Sequence, residues 1–175
     1  MIPKTLDWIE RVNKDFNIVP GIILDVGSRE NTDSKGTSTS PRQFFPDSDY
    51  LGVDVHAGHN VDRVLSVYDL AKTFQKNFFD AVLCIHVMEH LVNIWEAVDQ
   101  MNFVLRKGGF FYVGVPGFGF PKHEGRSAGD TKDYWRPSEE AVREMIFKGY
   151  KILSFEHDKS RFGKHPIMHC LGVKK

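Results

Sequence analysis

The run from Phe79 to Ile85 constrains the possible fold more than any other part of the sequence. It reads FDAVLCI, is almost entirely apolar, and is too short for a buried helix. A continuous apolar run of this length is typical of a strand that is covered on both faces, as in a parallel sheet. We therefore predict a central strand here, with a mostly parallel sheet around it.

Six further apolar runs predict the remaining strands. They cover residues 21–26, 50–55, about 61–67, 110–115, 150–156 and 167–173. Strands that alternate with helical patterns are typical of an α/β fold in which the sheet is mostly parallel. No helical pattern separates the last two runs, so we expect them to form a C-terminal antiparallel pair. The predicted fold is a Rossmann-like, seven-stranded α/β sheet.

Four helical patterns accompany these strands. The first places Leu6, Ile9, Val12 and Phe16 on one face, and the others cover about 69–75, 94–105 and 139–148. Ser138 is the predicted N-cap of the last helix and Gly149 its end, whereas Gly108 is predicted to cap the third helix. Residues 28–49 show no clear period and are predicted to form a loop.

Length and charge limit the functions that the chain can have. Its 175 residues fit one domain, residues 1–175, and its 23 basic and 23 acidic side chains give no net charge that would favour nucleic acid. No apolar run reaches the about 18 residues that span a bilayer, and no secretory signal is visible. Cys84 and Cys170 lie inside predicted strands, so we expect a cytoplasmic protein with two buried, reduced thiols.

The ends of the predicted strands indicate where a ligand would bind. In an open parallel sheet, ligands bind at the carboxyl ends of the strands, where the strand order reverses. Gly27 and Ser28 follow the first strand, and Asp54 ends the second. Gly27 either serves a turn or lets a ligand approach the backbone. Asp54 can accept hydrogen bonds from both hydroxyls of a ribose, or it can simply be solvated.

Two histidines follow the fourth strand. His86 and His90 are candidates for acid–base chemistry, because a histidine there can exchange a proton near neutral pH. They lie about one helical turn apart and could instead share a metal ion, as could His56 and His59. No cysteine pair or H-E-x-x-H pattern accompanies them, so we predict no metal site.

Five segments form an ordered set of motifs. They are ILDVG (23–27), YLGVDV (50–55), FDAVLCIHVMEHL (79–91), LRKGGFFYVGVP (105–116) and DYWRPSEEAV (133–142). In this order and spacing they resemble class I S-adenosylmethionine-dependent methyltransferases of the small methyltransferase-domain type. The resemblance covers nearly the whole chain. It implies the methyltransferase form of the Rossmann-like sandwich, S-adenosylmethionine as the cofactor, and methyl transfer by in-line displacement.

The resemblance also implies a set of cofactor-binding residues. These are Asp25, Gly27, Ser28, Asp54, Val55, Ser66, Val67 and His86. In the family, the glycine faces the methionine part of the cofactor and the acidic residue of the second strand holds the ribose. Ser66 stands where an acidic residue near adenine is common, so we expect backbone and apolar contacts such as those of Val67 to hold the adenine.

For the acceptor side, His90 is the first candidate for a catalytic base and His86 the second. Tyr134 and Trp135 either bind the acceptor or are half-buried aromatic residues before a helix. We expect a small-molecule acceptor, no membrane partner, and no nucleic-acid partner because the net charge is neutral.

The sequence differs from the family's usual pattern at two positions, so other functions also have to be considered. Arg29 stands where a second glycine is common, and Lys107 replaces a usual proline. Arg29 favours a catalytically inactive, methyltransferase-like binding domain as the main alternative. A nicotinamide-dependent oxidoreductase is disfavoured, since Ser28, Arg29 and Glu30 follow Gly27 in place of the further glycines of a G-x-G-x-x-G motif. A nucleic-acid methyltransferase is disfavoured by the neutral net charge.

Overall fold

A seven-stranded sheet forms the centre of the computed structural model, which describes residues 3–30, 40–123, 132–158 and 166–175. The strands are β1 (Ile22–Val26), β2 (Asp49–Asp54), β3 (Arg63–Val64), β4 (Phe79–Ile85), β5 (Leu105–Pro116), β6 (Tyr150–His157) and β7 (Ile167–Lys174). Their order is β3-β2-β1-β4-β5-β7-β6. Neighbours from β3 to β5 are parallel, and β7 is antiparallel to both β5 and β6. The predicted α/β, Rossmann-like fold with its C-terminal antiparallel pair is confirmed.

Helices connect the strands. They are α1 (Pro3–Asp15), α2 (Leu70–Thr73) and α3 (Ile94–Val104), with a π-helical segment at Ala141–Ile146 and 3₁₀ turns at Pro41–Phe44, Val67–Asp69 and Met88–His90. Among the described residues, none of these helices is long and apolar enough to cross a membrane.

Burial on both faces of the sheet accounts for the uninterrupted apolar run of β4. Val82 and Cys84 lie in one core cluster with Met101 of α3, and Leu83 lies in a second cluster with Trp8 of α1. Each of these five side chains is at most 1 % exposed. Because successive side chains of a strand point to opposite faces, a strand between two helical layers needs apolar residues at every position.

The buried face of α1 differs from the predicted one. Trp8 and Val12 are buried, but Leu6 is only half-buried and Phe16 is 40 % exposed. The prediction that Phe16 shares one helical face with Ile9 and Val12 was therefore wrong. Phe16 lies beyond the end of the helix, where Asn17 turns the chain with a φ of +50°.

The C-terminus of α3 is capped by a lysine and not by the predicted glycine. The helix ends at Val104, and Gly108 lies within β5 with a φ of +71°. The Lys174 ammonium, at the end of β7, donates hydrogen bonds to the carbonyl oxygens of Asn102 (2.5 Å) and Leu105 (2.6 Å). These bonds satisfy carbonyls that the end of a helix leaves without partners.

The last helical pattern is wound differently from an α-helix. The Phe147 N–H donates to the Val142 carbonyl at 3.0 Å, which is the five-residue spacing of a π-helix. The predicted N-cap is present, because Ser138 Oγ accepts a hydrogen bond from the Ala141 N–H at 3.2 Å. Gly149 follows the segment with a φ of +87°.

Two of the predicted segments are described only in part or are shorter than expected. β3 has two residues, where about 61–67 was predicted. Within the predicted loop at 28–49, the described part contains the 3₁₀ turn Pro41–Phe44 and the first residue of β2, while residues 31–39 lie outside the described residues.

Candidate functional site

The strand order reverses between β1 and β4. The chain first builds outward from β1 to β2 and β3, and then returns to place β4 on the other side of β1. Val26 is in register with Val53 of β2 and with Cys84 of β4, so all three strands end at the same edge. This edge is where sheets of this type bind ligands.

Gly27 forms a tight turn directly after β1. Its φ is +75°, and a Cβ at this position would lie 2.1 Å from Cγ2 of Val87. Its N–H donates to the Val53 carbonyl at 2.8 Å, and the Ser28 N–H donates to the same oxygen at 3.1 Å. Ser28 is buried, and its hydroxyl donates to the Asn60 carbonyl at 2.9 Å. The turn and the packing of Val87 are therefore sufficient to explain why position 27 is a glycine.

Asp54, at the end of β2, has one carboxylate oxygen in a hydrogen bond within the protein and one without such a bond to the described residues. Oδ1 accepts a hydrogen bond from the His56 N–H at 2.9 Å, and no described residue donates to Oδ2. The side chain is half-buried, and the neighbouring Val55 is 53 % exposed. One oxygen of Asp54 is thus left to accept hydrogen bonds from a ligand.

Asp25 has a buried partner within the protein. Its carboxylate accepts a hydrogen bond from the Tyr50 hydroxyl at 2.8 Å, and Arg42 lies over the Tyr50 ring at 4.8 Å. Burial raises the pKa of Asp25 to about 7, although the hydrogen bond from Tyr50 opposes that shift. Asp25 was expected to bind the cofactor, but its side chain lies in the protein interior and is bonded to Tyr50.

The expected adenine side contains one partly accessible residue and one core residue. Ser66 is half-buried, and its Oγ accepts a hydrogen bond from the Tyr68 N–H at 3.3 Å. Val67 is 4 % exposed and belongs to the core cluster on the α3 face. Because this side chain is buried, Val67 would contact a ligand mainly through its backbone atoms.

His86 begins the connection after β4 in an unusual conformation. Its φ is +56°, a value that non-glycine residues adopt rarely and at some cost, often at functional sites. Its N–H donates to the Gly114 carbonyl at 2.8 Å, which anchors the residue to β5. Its Nε2 lies 3.3 Å from the hydroxyl of Thr5, and the same hydroxyl lies 3.0 Å from Nε2 of His169.

Glu89 is a buried carboxylate surrounded by histidines, and it was not among the predicted site residues. It is 1 % exposed, and neither side-chain oxygen has a hydrogen-bond partner among the described residues. Oε1 lies 3.7 Å from Nδ1 of His86, 3.9 Å from Nε2 of His90 and 3.9 Å from Nε2 of His123. One donor atom each of Glu89, His90 and His123 lie within 4.8 Å of one another, a spacing that could hold a metal ion.

A short segment, residues 132–136, lies across the turn that carries Glu89; we call it the strap. His90 Nδ1 donates to the Lys132 carbonyl at 3.0 Å, and the Tyr134 N–H donates to the Glu89 carbonyl at 2.7 Å. The Trp135 indole N–H donates to the Leu91 carbonyl at 2.6 Å. Tyr134 and Trp135 are 48 % and 37 % exposed, so they border the site from the solvent side.

Asp133 and Arg136 fix the strap to the segment that carries His123. The guanidinium of Arg136 donates to both oxygens of Asp133 at 2.5 Å, and it also donates to the carbonyls of Phe120 (3.1 Å) and Pro121 (3.0 Å). Asp133 accepts a further hydrogen bond from the His123 N–H at 2.8 Å. These bonds, led by that from Arg136, lower the pKa of Asp133 to about 2.

The predicted residues therefore collect into two groups at one edge of the sheet. One group lies at the ends of β1 and β2 and contains Gly27, Ser28, Asp54 and Val55. The other follows β4 beneath the strap and runs from His86 to His90. Sequence reasoning missed Glu89 and His123. The order His86-Val-Met-Glu89-His90 contained a signal for Glu89, but nothing local indicated that His123 would join it.

Comparisons with known proteins are consistent with this geometry. A family model described as a methyltransferase domain matches residues 42–113. No curated protein matches the chain.

Several solved structures share the fold over nearly the whole chain. The 1,6-didemethyltoxoflavin-N1-methyltransferase of Burkholderia thailandensis, with bound 1,6-didemethyltoxoflavin and S-adenosylhomocysteine, has a TM-score of 0.71 at 11% identity, covering 98% of this chain and 78% of that one. The N-methyltransferase NodS of Bradyrhizobium japonicum, in complex with S-adenosylhomocysteine, has a TM-score of 0.64 at 12% identity, covering 98% and 86%. The [4+2]-cyclase SpnF has a TM-score of 0.66 at 16% identity, covering 97% and 80%.

At such identities the structural likeness establishes the fold, and the family model adds the sequence signature of the central strands. The ordered motifs, the strand order and the family model agree with one another. Residues 42–113 thus match a methyltransferase domain in sequence, and the chain shares its fold with solved methyltransferases that hold S-adenosylhomocysteine.

Proposed function

We propose that the chain, as a single domain, transfers a methyl group from S-adenosylmethionine to a small-molecule acceptor. The observation that carries the proposal is Asp54, whose carboxylate keeps one oxygen open at the end of β2, beside the reversal of strand order. A carboxylate so placed can accept hydrogen bonds from the two hydroxyls of a ribose. This hydrogen-bond acceptor thus fits the ribose hydroxyls in the adenosine part of the cofactor.

The remaining cofactor contacts follow from the positions of the strand ends. The backbone of Gly27 and Ser28 would border the methionine part, and Val55 and Ser66 would border the adenine. When bound, S-adenosylmethionine would supply the methyl group of its sulfonium to the acceptor by in-line displacement, with the thioether S-adenosylhomocysteine as the leaving group. The protein's task is then to align the acceptor and to exclude water, and the buried turn after β4 is suited to both.

His90 is the residue proposed to take a proton from the acceptor. Its Nδ1 donates to the Lys132 carbonyl, so in the neutral ring Nε2 carries the lone pair that can accept a proton. His86 is the second candidate, and its Nε2 lies beside the Thr5 hydroxyl. Tyr134 and Trp135 are proposed to border the acceptor, since both lie on the exposed side of the strap.

The class of acceptor and the cellular location are also part of the proposal. The Burkholderia methyltransferase holds 1,6-didemethyltoxoflavin, which supports a small molecule as the acceptor here. The equal numbers of basic and acidic side chains disfavour nucleic acid. Cys84 and Cys170 are unpaired and buried, as expected for a protein in the reducing cytoplasm.

A binding domain without catalytic activity is the second candidate function. The fold alone does not fix the reaction, since a [4+2]-cyclase shares it. Arg29 replaces a glycine that is common in the family, and its side chain packs against Gly58 in the loop after β2. A protein of this kind would bind an adenosine ligand without forming S-adenosylhomocysteine in the presence of any acceptor.

Replacement of Asp54 by alanine tests the proposed cofactor site. Asp54→Ala should weaken binding of S-adenosylhomocysteine by about 1.5–3 kcal/mol, which is the scale for hydrogen bonds to a charged group. Isothermal titration calorimetry measures this change directly. Asp49→Ala is the matched control, because Asp49 is an exposed aspartate at the opposite end of the same strand.

The proposal requires that the Asp49 variant bind like the unmodified protein. If the Asp54 variant binds S-adenosylhomocysteine with unchanged affinity, the ribose does not bind at the end of β2. If the unmodified protein does not bind it at all, the proposed cofactor is wrong. Turnover is then examined with S-adenosylmethionine and a set of acceptors, with S-adenosylhomocysteine as the detected product.

A further inference from the structure

The side chain of Glu89 is in an unfavourable environment as it stands. It is 1 % exposed, and both carboxylate oxygens lack a hydrogen-bond partner within the described part of the chain. A buried carboxylate without partners is strongly disfavoured, and buried charges are normally paired or bound to metal ions. The nearest imidazole nitrogens, at 3.7–3.9 Å, are too distant to donate hydrogen bonds to it.

Those distances are slightly wider than the spacing between ligands of one metal ion. Bonds from a divalent transition metal to imidazole nitrogen or carboxylate oxygen are about 2.0–2.2 Å long, so two ligands of a tetrahedral ion lie about 3.3–3.6 Å apart, and the three ligand atoms here would move inward to bind one. Glu89 Oε1 lies 3.9 Å from Nε2 of both His90 and His123. An ion between the three side chains would fill the space that now separates them.

The two histidines are already oriented as metal ligands usually are. His90 donates from Nδ1 to the Lys132 carbonyl at 3.0 Å, which leaves Nε2 unprotonated in the neutral ring and facing Glu89. His123 Nδ1 makes no hydrogen bond but lies 3.3 Å from Oδ2 of Asp133, and its Nε2 lies 3.9 Å from Glu89 Oε1. Metal-bound histidines characteristically direct their second nitrogen to a carbonyl or a carboxylate in this way.

We propose that Glu89, His90 and His123 form a binding site for a divalent transition metal ion of the zinc type. Two imidazole nitrogens and one carboxylate oxygen are the protein ligands of a common class of catalytic zinc site, in which a fourth position stays open. The site does not depend on the proposed methyl transfer. With the ion bound, Nε2 of His90 is a ligand and no longer a free base.

Metal binding by the full chain tests the proposal without any assay of methyl transfer. The protein is stripped with a chelator and titrated with zinc chloride by calorimetry at about pH 7.5, where unperturbed histidines are neutral. We expect one zinc ion per chain with micromolar or tighter affinity. Cobalt(II) at the same site should give visible absorption bands, and these should disappear when zinc displaces the cobalt.

Two variants test the proposed ligands, and a third is the control. His123→Ala and Glu89→Gln should each weaken zinc binding more than a hundredfold, because each loses a direct ligand, while second-sphere changes cost about 10–100-fold. His59→Ala is the matched control, since His59 also lies against a carboxylate, that of Glu30 at 2.7 Å, but outside the proposed site. It should bind zinc like the unmodified protein. His123 is 37 % exposed, so its replacement is the one least able to disturb folding.

Other results would overturn the proposal. They are the absence of stoichiometric binding, unchanged affinity in His123→Ala, or an equal loss of affinity in His59→Ala, which would indicate adventitious binding to surface histidines. Circular dichroism confirms that each variant is folded, and His123→Ala decides the question if Glu89→Gln is not.

Discussion

Gly27 and Val87 occupy one small space where β1 and β4 end. A side chain at position 27 would need both a left-handed backbone and room that Cγ2 of Val87 already fills. Two separate penalties therefore act on any larger residue. The left-handed conformation costs about 1–2 kcal/mol for an L-residue, and overpacking costs about 1–3 kcal/mol.

Gly27→Ala should accordingly destabilise the protein by about 2–5 kcal/mol, measured by urea unfolding. Val87→Ala in the same chain removes the clash but not the backbone strain, so the double variant should recover most of the overpacking cost. Additive effects of the two substitutions, within about 0.5 kcal/mol, would show that the two side chains do not compete for the space.

Among the elements, the strap depends on Arg136 both for two hydrogen bonds to the segment before His123 and for the bonds that hold the strap's own shape. Its guanidinium reaches both oxygens of Asp133 and the carbonyls of Phe120, Pro121 and Trp135. A lysine carries the same charge but cannot form this fork. The strap should therefore open more often when lysine replaces Arg136.

In Arg136→Lys, we expect the amide of Tyr134 to exchange with deuterium at least about tenfold faster, since hydrogen bonds to charged groups contribute about 1.5–3 kcal/mol. That amide donates to the Glu89 carbonyl and so reports on the contact between strap and turn. Arg106→Lys changes a similar pair, with Asp80 at the start of β4, and should leave this amide unaffected. Unchanged exchange in Arg136→Lys would mean that other contacts hold the strap.

The elements also show what the sequence could reveal. β4 was predicted with its observed bounds, because burial on both faces leaves a continuous apolar run. The length of β3 was overestimated, because two exposed residues at a sheet edge show no clear hydrophobic periodicity. The end of α3 was predicted to within one residue, but its cap was wrongly assigned to Gly108 because Lys174, which caps it, is distant in sequence.

The same contrast holds for the candidate site. Asp54 and His86 were predicted from the rule that ligands bind at strand ends, which follows from the order of elements alone. Glu89 and His123 meet only through the folded arrangement of the strap, and a sequence pattern based on regular spacing cannot indicate that contact. The expectation of no metal site rested on such spacing, and the proposed site departs from it.

Two buried titratable groups give the whole molecule opposing responses to pH. Burial lowers the pKa of His169 to about 4, and it raises the pKa of Asp25 to about 7. Between about pH 4 and 6.5, the unfolded chain binds the proton of His169 while the folded chain does not, so stability rises with pH. Over nearly the same range the folded chain holds the proton of Asp25, so stability falls as pH rises.

Each response has a limiting slope of about 1.4 kcal/mol per pH unit, and in the unmodified protein the two should nearly cancel. In His169→Gln the free energy of unfolding should fall as the pH rises from about 4.5 to 6, and in Asp25→Asn it should rise. Urea unfolding at several pH values measures both slopes. If the two variants have slopes of the same sign, one of the two groups titrates normally in the folded protein.

The contact between Gly27 and Val87 has a further consequence for how ligands act on one another. Val87 directly precedes the turn that carries Glu89 and His90, and the His90 N–H donates to the Val87 carbonyl at 2.9 Å. A ligand that displaced Gly27 would therefore press on Val87 and on the turn after β4. Linkage requires reciprocity: whatever factor one ligand applies to the affinity of a second, the second applies to the first. An inhibitor that moved Gly27 would then be detectable through its effect on the affinity of a ligand bound at that turn.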